Sequence, residues 1–282
     1  MLDQQYSQED RAMITFIVLL AVSAFILYRF DRQVKEGYAY AGRAAAPLRT
    51  KVLPVPEAYR DILQKYFPYY RQLDGAAKNK FAQKVCFFIY RKRFIPRNID
   101  EVTMEARVLI AATAVQLTFG LNDIYLDHFN KILVYPDDYY SSITKRYHKG
   151  EVNPRFGIIA ISWQSFIDGF LNPKDAINLG LHEMAHALRL ENIIRSEGYQ
   201  FFDETLVNKF DEHAMNLCRV VNWSETFFRP YACANEHEFF SVAVENFFER
   251  PHEFKSSMPD LYSILCRLLN QDPSQLPEPK LL

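Results

Sequence analysis

Only four cysteines occur in the 282 residues, Cys86, Cys218, Cys233 and Cys266, and no two of them form C-x-x-C. The paired thiols from which cysteine zinc sites are built are therefore missing. The four read as reduced, mostly buried thiols, which suits a cytosolic domain. Positive charge is not in excess either. The 33 Lys and Arg are matched by 34 Asp and Glu, for a net charge of -1, which leaves no electrostatic footprint for direct nucleic-acid binding. No internal repeat is evident. The leader M-L-D-Q-Q-Y-S-Q-E-D-R carries one basic and three acidic residues, so it lacks the positive n-region of a secretory signal.

Apolar and aromatic residues, by contrast, are plentiful. Hydrophobic residues make up 49%, with 23 Phe and 17 Tyr, enough to bury a sizeable core and unlike a disordered chain. Ala12 to Tyr28 is a run of 17 residues without a charge, roughly 25 Å as a helix, and Tyr28 and Arg29 can extend it at the interface. It predicts one transmembrane helix over 12–29, after a leader at 1–11. Arg29, Arg32, Lys35 and Arg43 follow it and only Arg11 precedes it, so the positive-inside bias places the C-terminal bulk in the cytoplasm. Residues 30–54, punctuated by Pro47 and Pro54, read as a linker. A single domain follows over 55–273, and the proline-rich end, with a tail at 274–282, reads as loose. Helices are expected near 56–66, 77–92, 103–118, 173–191, 204–221, 235–249 and 258–269, and strands at Ile132–Tyr135 and Gly157–Ser162. Two strands among many helices predict an α+β domain, mostly helical, with a small sheet.

The chemistry centres on L-H-E-M-A-H at 181–186. Asn172 is the expected cap of its helix, with Pro173 at the first helical position and Asp175 in the first turn. On such a helix His182 and His186 lie about 40° apart around the axis, one turn above the other. Two imidazoles so placed can bind one tetrahedral metal ion. Glu183 flanks them where it can act as a general base on a water activated by the metal without being a ligand itself.

A catalytic zinc needs a third protein ligand. The spacing H-E-x-x-H-x-x-G-x-x-H does not supply it, because Arg189 stands at the Gly position and Asn192 at the third His. A downstream carboxylate is the alternative. Glu204 is one candidate, although an acid at a helix start also complements the dipole. Glu238 is the better candidate. It shares a helical face with Glu245, and two carboxylates on such a face need partners if buried. A metal for one and a metal-binding imidazole for the other would provide them. Asn235 as a cap and Glu238 closing a capping box explain the same pattern equally well. The five remaining histidines, His128, His148, His213, His237 and His252, read as surface or packing residues.

H-E-M-A-H-A-L at 182–188, followed by Y-A-C-A-N-E-H-E-F-F-S-V-A-V-E-N-F-F-E-R-P at 231–251, resembles the Mlc titration factor A family of metallopeptidases. E-A-R-V-L-I-A-A-T-A at 105–114, I-L-V-Y-P-D at 132–137, I-I-A-I-S-W at 158–163 and P-D-L-Y-S-I-L-C-R-L-L-N-Q-D-P at 259–273 are similar to that family's blocks in the same order. A more distant similarity, Tyr followed after six residues by Glu-Phe-Phe, is to the catalytic domain of the lethal-factor metalloprotease. The resemblance implies a zincin-like (gluzincin) fold and one zinc ion held by His182, His186 and Glu238. It further implies Glu183 as general base, Tyr231 as the phenol that stabilises the oxyanion, and Glu245 in support behind the ligands. Implied too are a peptide or protein substrate paired along an edge strand at 157–162, weak aminopeptidase activity, and binding of a transcriptional repressor. Arg189 stands where that family usually carries an acid. Two other functions stay open: a binding protein that sequesters a regulator with its zinc site secondary, and a zinc hydrolase acting on non-peptide bonds.

Overall fold

The computed structural model describes residues 54–141, 144–171, 175–195, 200–220 and 227–277. The expected transmembrane helix at 12–29 lies outside these, with its leader and nearly all of the linker. Among the described residues no helix is long and apolar enough to cross a membrane.

The chain forms ten α-helices and six strands among the described residues. Helices α1 (Glu57–Tyr66), α2 (Pro68–Gln72) and α3 (Gly75–Arg91) precede β1 (Arg93–Pro96). Helix α4 (Met104–Thr118) is capped by Thr103, whose side chain accepts from the Ala106 amide. Its Ala-rich run is buried on nearly every side, as a core helix requires. Next come β2 (Lys131–Tyr135), β3 (Tyr139–Ser141), β4 (Arg146–His148), β5 (Gly150–Asn153) and β6 (Ile158–Ser162). The remaining helices are α5 (Trp163–Leu171), α6 (Leu179–Ile194), α7 (Glu204–Val220), α8 (Glu236–Glu249), α9 (Pro251–Ser257) and α10 (Pro259–Leu269), with a 3₁₀ turn at Pro230–Ala234 before α8 and another at Pro273–Gln275. The result is the mostly helical α+β fold with a small sheet that the periodicities predict.

The main sheet runs β1-β2-β6-β5, and β3 and β4 form a separate hairpin. β1, β2 and β6 are parallel, while β5 returns antiparallel to β6 with Gly150 opposite Ile161 and Asn153 opposite Ile158. The expected edge strand at 157–162 is therefore an interior strand, and the edge beside it is β5. A strand of this composition, G-E-V-N, carries too little apolar periodicity to be read in advance. β6, by contrast, is buried along most of its length and shows the continuous apolar run of an interior strand.

Helix α6 lies at the centre, packed on α8, on α4 and on strands β5 and β6. It does not begin at Asn172 as expected. Its cap is Asn178, whose side chain accepts from the Leu181 amide. Asp175 instead bonds the Ile177 amide, and Ala176 takes a left-handed backbone with φ 56°, which breaks any helix through 175–178. Gly180, the second residue of the helix, lets α6 approach Phe166 of α5, where a Cβ would collide with the ring.

The cysteines also depart from expectation. Cys218 and Cys233 are paired, with Cα atoms 5.7 Å apart, whereas Cys86 and Cys266 are free and half-buried. The disulfide ties α7 to the turn before α8, a proximity that comes from tertiary packing and leaves no trace in cysteine spacing. It removes the ground on which all four thiols read as those of a reduced domain. The C-terminal end is not loose over its described part. Tyr262 donates to Asp272 at 2.7 Å, and Asp272 accepts from the Ser274 amide and hydroxyl.

Aromatic side chains fill the core. Phe81 lies within 5.8 Å, centroid to centroid, of Phe67, Tyr69, Tyr70 and Phe119. It has no exposed surface, and clusters of this kind account for much of the chain's phenylalanine. Truncating it removes a ring that the surrounding rings cannot replace. Phe81→Ala is expected to cost about 3–5 kcal/mol of stability, read as a lower midpoint in urea denaturation with an unchanged slope; a loss under about 1 kcal/mol would show the cluster to be loosely packed.

Candidate metal centre

Two imidazoles from α6 and a carboxylate from α8 converge on one point. His182 Nε2 stands 3.0 Å and His186 Nε2 3.4 Å from Glu238 Oε2. The two nitrogens are 3.1 Å apart. Helical spacing of four accounts for the first pair. The third member arrives because Asn235 caps α8 by accepting from the His237 and Glu238 amides, both at 3.0 Å. The cap and the site are thus both realised: Glu238 occupies the third helical position while its carboxylate faces the histidines of α6. Among the described residues these three are the only His, Cys, Asp or Glu set able to hold a metal ion, with the donor atoms all within 4.8 Å of one another. Glu204 is not part of it. It sits exposed at the start of α7, where an acid complements the helix dipole.

Behind His182 lies Glu245, also on α8 and 1% exposed. Its Oε1 is 2.7 Å from His182 Nδ1. A carboxylate can only accept, so Nδ1 carries a hydrogen, and Nε2 is the nitrogen that faces Glu238 and would be free for a metal once its own proton is displaced. The carboxylate also accepts from the Asn178 amide at 2.8 Å and from both ends of Arg229, at 3.0 and 2.7 Å. Arg229 carries no motif. Only its place two residues before Tyr231, in a turn, could have drawn attention to it.

Electrostatically the site asks for a cation. Glu238 Oε2 is buried and receives no hydrogen bond of acceptable geometry, although both imidazole nitrogens stand beside it. Burial works to lower the His182 pKa, but contacts with Glu238 and Glu245 prevail and hold it up at about 10. Burial likewise pushes Glu238 up, and the histidine contacts overturn that and keep its carboxyl well below the ordinary range. An orphaned carboxylate oxygen facing two imidazole nitrogens is a donor set that suits zinc, and the residues present fit that ion.

Glu183, 5% exposed, lies on the adjoining flank of α6. Burial raises its pKa, with His182 and His186 pulling it back. Its carboxylate rests on the backbone of Gly150, where any Cβ would collide with it. Tyr231, in the 3₁₀ turn, is 52% exposed. Its ring lies 6.2 Å from His182. Burial, then the charge and contact of Glu238, push its phenol up to about 12, so it stays a hydrogen-bond donor at neutral pH. Arg189 donates from Nη2 to both carboxylate oxygens of Asp211 of α7, at 2.6 and 2.7 Å, and so joins two helices.

In the metal-free protein at pH 7 the His182 imidazole holds a proton, because its pKa is raised to about 10, and a metal must displace it. Zinc added to metal-free protein is therefore expected to release protons, to bind more tightly as pH rises from 6 to 8, and to raise the unfolding temperature. Proton release, measured by calorimetry in buffers of different ionisation enthalpy with the thermal midpoint followed in parallel, checks this; zinc binding that is indifferent to pH would contradict it.

Residues 43–269 match the family described as glucose-regulated metallo-peptidase M90. An uncharacterized protein of Synechocystis sp. is 27% identical over 78% of this chain and 86% of its own length. Proteins named Mlc titration factor A are similar as well. That of Enterobacter sp. is 28% identical over 74% of this chain and 84% of its own, and that of Salmonella agona 29% identical over 67% and 77%. With some four-fifths of its length matched, and with the histidine and carboxylate set inside that span, the chain belongs to the glucose-regulated metallo-peptidase M90 family.

Proposed function

We propose that the chain is a zinc-dependent peptidase, anchored by one transmembrane helix over 12–29 with its catalytic domain over 55–273 in the cytoplasm, and aminopeptidase-like in its cleavage. The observation that carries the enzymatic reading is the convergence of His182, His186 and Glu238 beside an intact Glu183. The anchor and its orientation are supported by the uncharged run from Ala12 to Tyr28 and by the basic residues after it, and the exopeptidase reading by the family resemblance.

Held by His182, His186 and Glu238, zinc supplies Lewis acidity that polarises a carbonyl and activates water. Glu183 takes the proton of the attacking water and passes it to the departing amine. Burial raises its pKa, which makes it a better base than an exposed carboxylate. Tyr231 donates its phenolic hydrogen to the oxygen that gains charge in the transition state. Glu245 keeps His182 in the tautomer that offers Nε2. A peptide substrate extends β5, the edge strand beside the site among the described residues, by backbone hydrogen bonds, and Gly150 brings that strand against Glu183.

A second reading has a specific support: the relatives named Mlc titration factor A. It makes the chain a protein that captures a regulator, a transcriptional repressor in the family resemblance, with the zinc site secondary. Such a role needs no general base, whereas Glu183 is present and placed. Glu183→Gln separates the two. It is expected to keep one zinc per chain and to lower kcat/KM on aminoacyl-nitroanilides by about 10²–10⁴. Unchanged hydrolysis would end the peptidase reading, and unchanged partner capture in cells would favour the second.

Tyr231→Phe is expected to lower kcat about 10²-fold with little change in KM; a change confined to KM would assign Tyr231 to substrate binding. Gly150→Val is expected to displace Glu183 and reduce kcat with zinc retained, measured as turnover per bound zinc; wild-type turnover would show that Glu183 has room to move.

A further inference from the structure

Arg229 makes three contacts around Glu245. Its guanidinium pairs with both carboxylate oxygens, Nη1 to Oε2 at 3.0 Å and Nη2 to Oε1 at 2.7 Å. It donates to the carbonyl of Ala176, in the left-handed residue that precedes α6. Its plane also stands 5.9 Å from the ring centre of Tyr231. Glu245, almost without exposed surface, has its remaining directions taken by His182 Nδ1 and the Asn178 amide. Of the three groups that donate to this carboxylate, the guanidinium is the only one that brings a permanent charge.

We infer that Arg229 is a positioning residue for the metal centre: by gripping both oxygens of Glu245 it fixes the carboxylate that orients His182, and by lying against Tyr231 it places the phenol over the same ligand. This rests on the zinc reading. A buried carboxylate stripped of its cation is an uncompensated charge, and it relaxes by rotating toward other donors. That rotation loosens the bond to His182 Nδ1. Lysine cannot substitute fully, because one ammonium does not present the planar fork that meets both oxygens. A residue serving only to staple Ala176 to α8 would affect stability but not the geometry at a bound ion.

The test compares wild type with Arg229→Met and Arg229→Lys as metal-free full-length chains. Zinc affinity is measured against a competing chelator, and cobalt(II) is used as a spectroscopic probe. Arg229→Met is expected to bind zinc about 10–100-fold more weakly, to give altered cobalt absorption bands, and to regain part of its affinity when guanidinium is added below denaturing concentrations. Arg229→Lys is expected to fall between. Wild-type affinity and a superimposable cobalt spectrum in Arg229→Met would overturn the inference. If Arg229→Met does not fold, the same two results in Arg229→Lys would overturn it. A wild-type chain that takes up neither ion overturns the zinc reading and this inference together, whereas normal uptake by wild type and variant alike overturns this inference alone.

Discussion

Three electron-rich atoms held face to face, His182 Nε2, His186 Nε2 and Glu238 Oε2, 3.0–3.4 Å apart, are the constraint around which the domain is organised. Such a cluster is unfavourable unless something positive sits among its members. The fold maintains it through rigid parts. α6 and α8 pack directly on one another, the first is stopped and capped at Asn178, and the second is started by Asn235 just where Glu238 must turn inward. Glu245 and Arg229 then commit the far nitrogen of His182. The charges that pull a proton onto His182 in the metal-free protein are the ones that would hold a divalent cation in its place.

One of these helices and the turn before the other supply the reactive groups around that point. Glu183 is one residue from a ligand and sealed by the backbone of Gly150. Tyr231 is carried by a turn that is fastened on one side by the disulfide to α7 and on the other by Arg229. The edge strand, the base, the ligands and the phenol thus come from four separate segments of chain, and α6 is the element that touches both the strand and α8. Changes in β5 or in the turn should therefore be felt at the site without touching a ligand.

Much of this was legible in the sequence, for definite reasons. H-E-x-x-H on a helix is a local pattern, and α4, β2 and β6 announce themselves by unbroken apolar runs. Spacing favoured Glu238 over Glu204 but could not decide whether Glu238 is a ligand or closes a capping box, because the third helical position suits an acid in either role. What decides it is tertiary: α8 packs on α6 and the carboxylate faces the histidines, while Glu204 faces solvent. Three features besides the C-terminal end were misread. The start of α6 moved from Asn172 to Asn178 because Ala176 adopts a left-handed backbone that alanine seldom takes. The edge strand moved to β5, whose polar residues carry no strand signal. The pairing of Cys218 with Cys233 depends on the path of the chain between two helices. Arg229 and Gly150 went unnoticed because each acts through a neighbour, and neither residue type marks a site by itself.

The central claim is that His182, His186 and Glu238 hold one zinc ion, and the most direct measurement is the anomalous scattering of zinc in crystals of the purified protein. The account predicts a single strong peak at the zinc absorption edge, about 2.0–2.2 Å from Nε2 of both histidines and from an oxygen of Glu238, with one coordination position left to solvent. A zinc-supplemented crystal without a peak there, or with Glu238 turned away from the imidazoles, would contradict it.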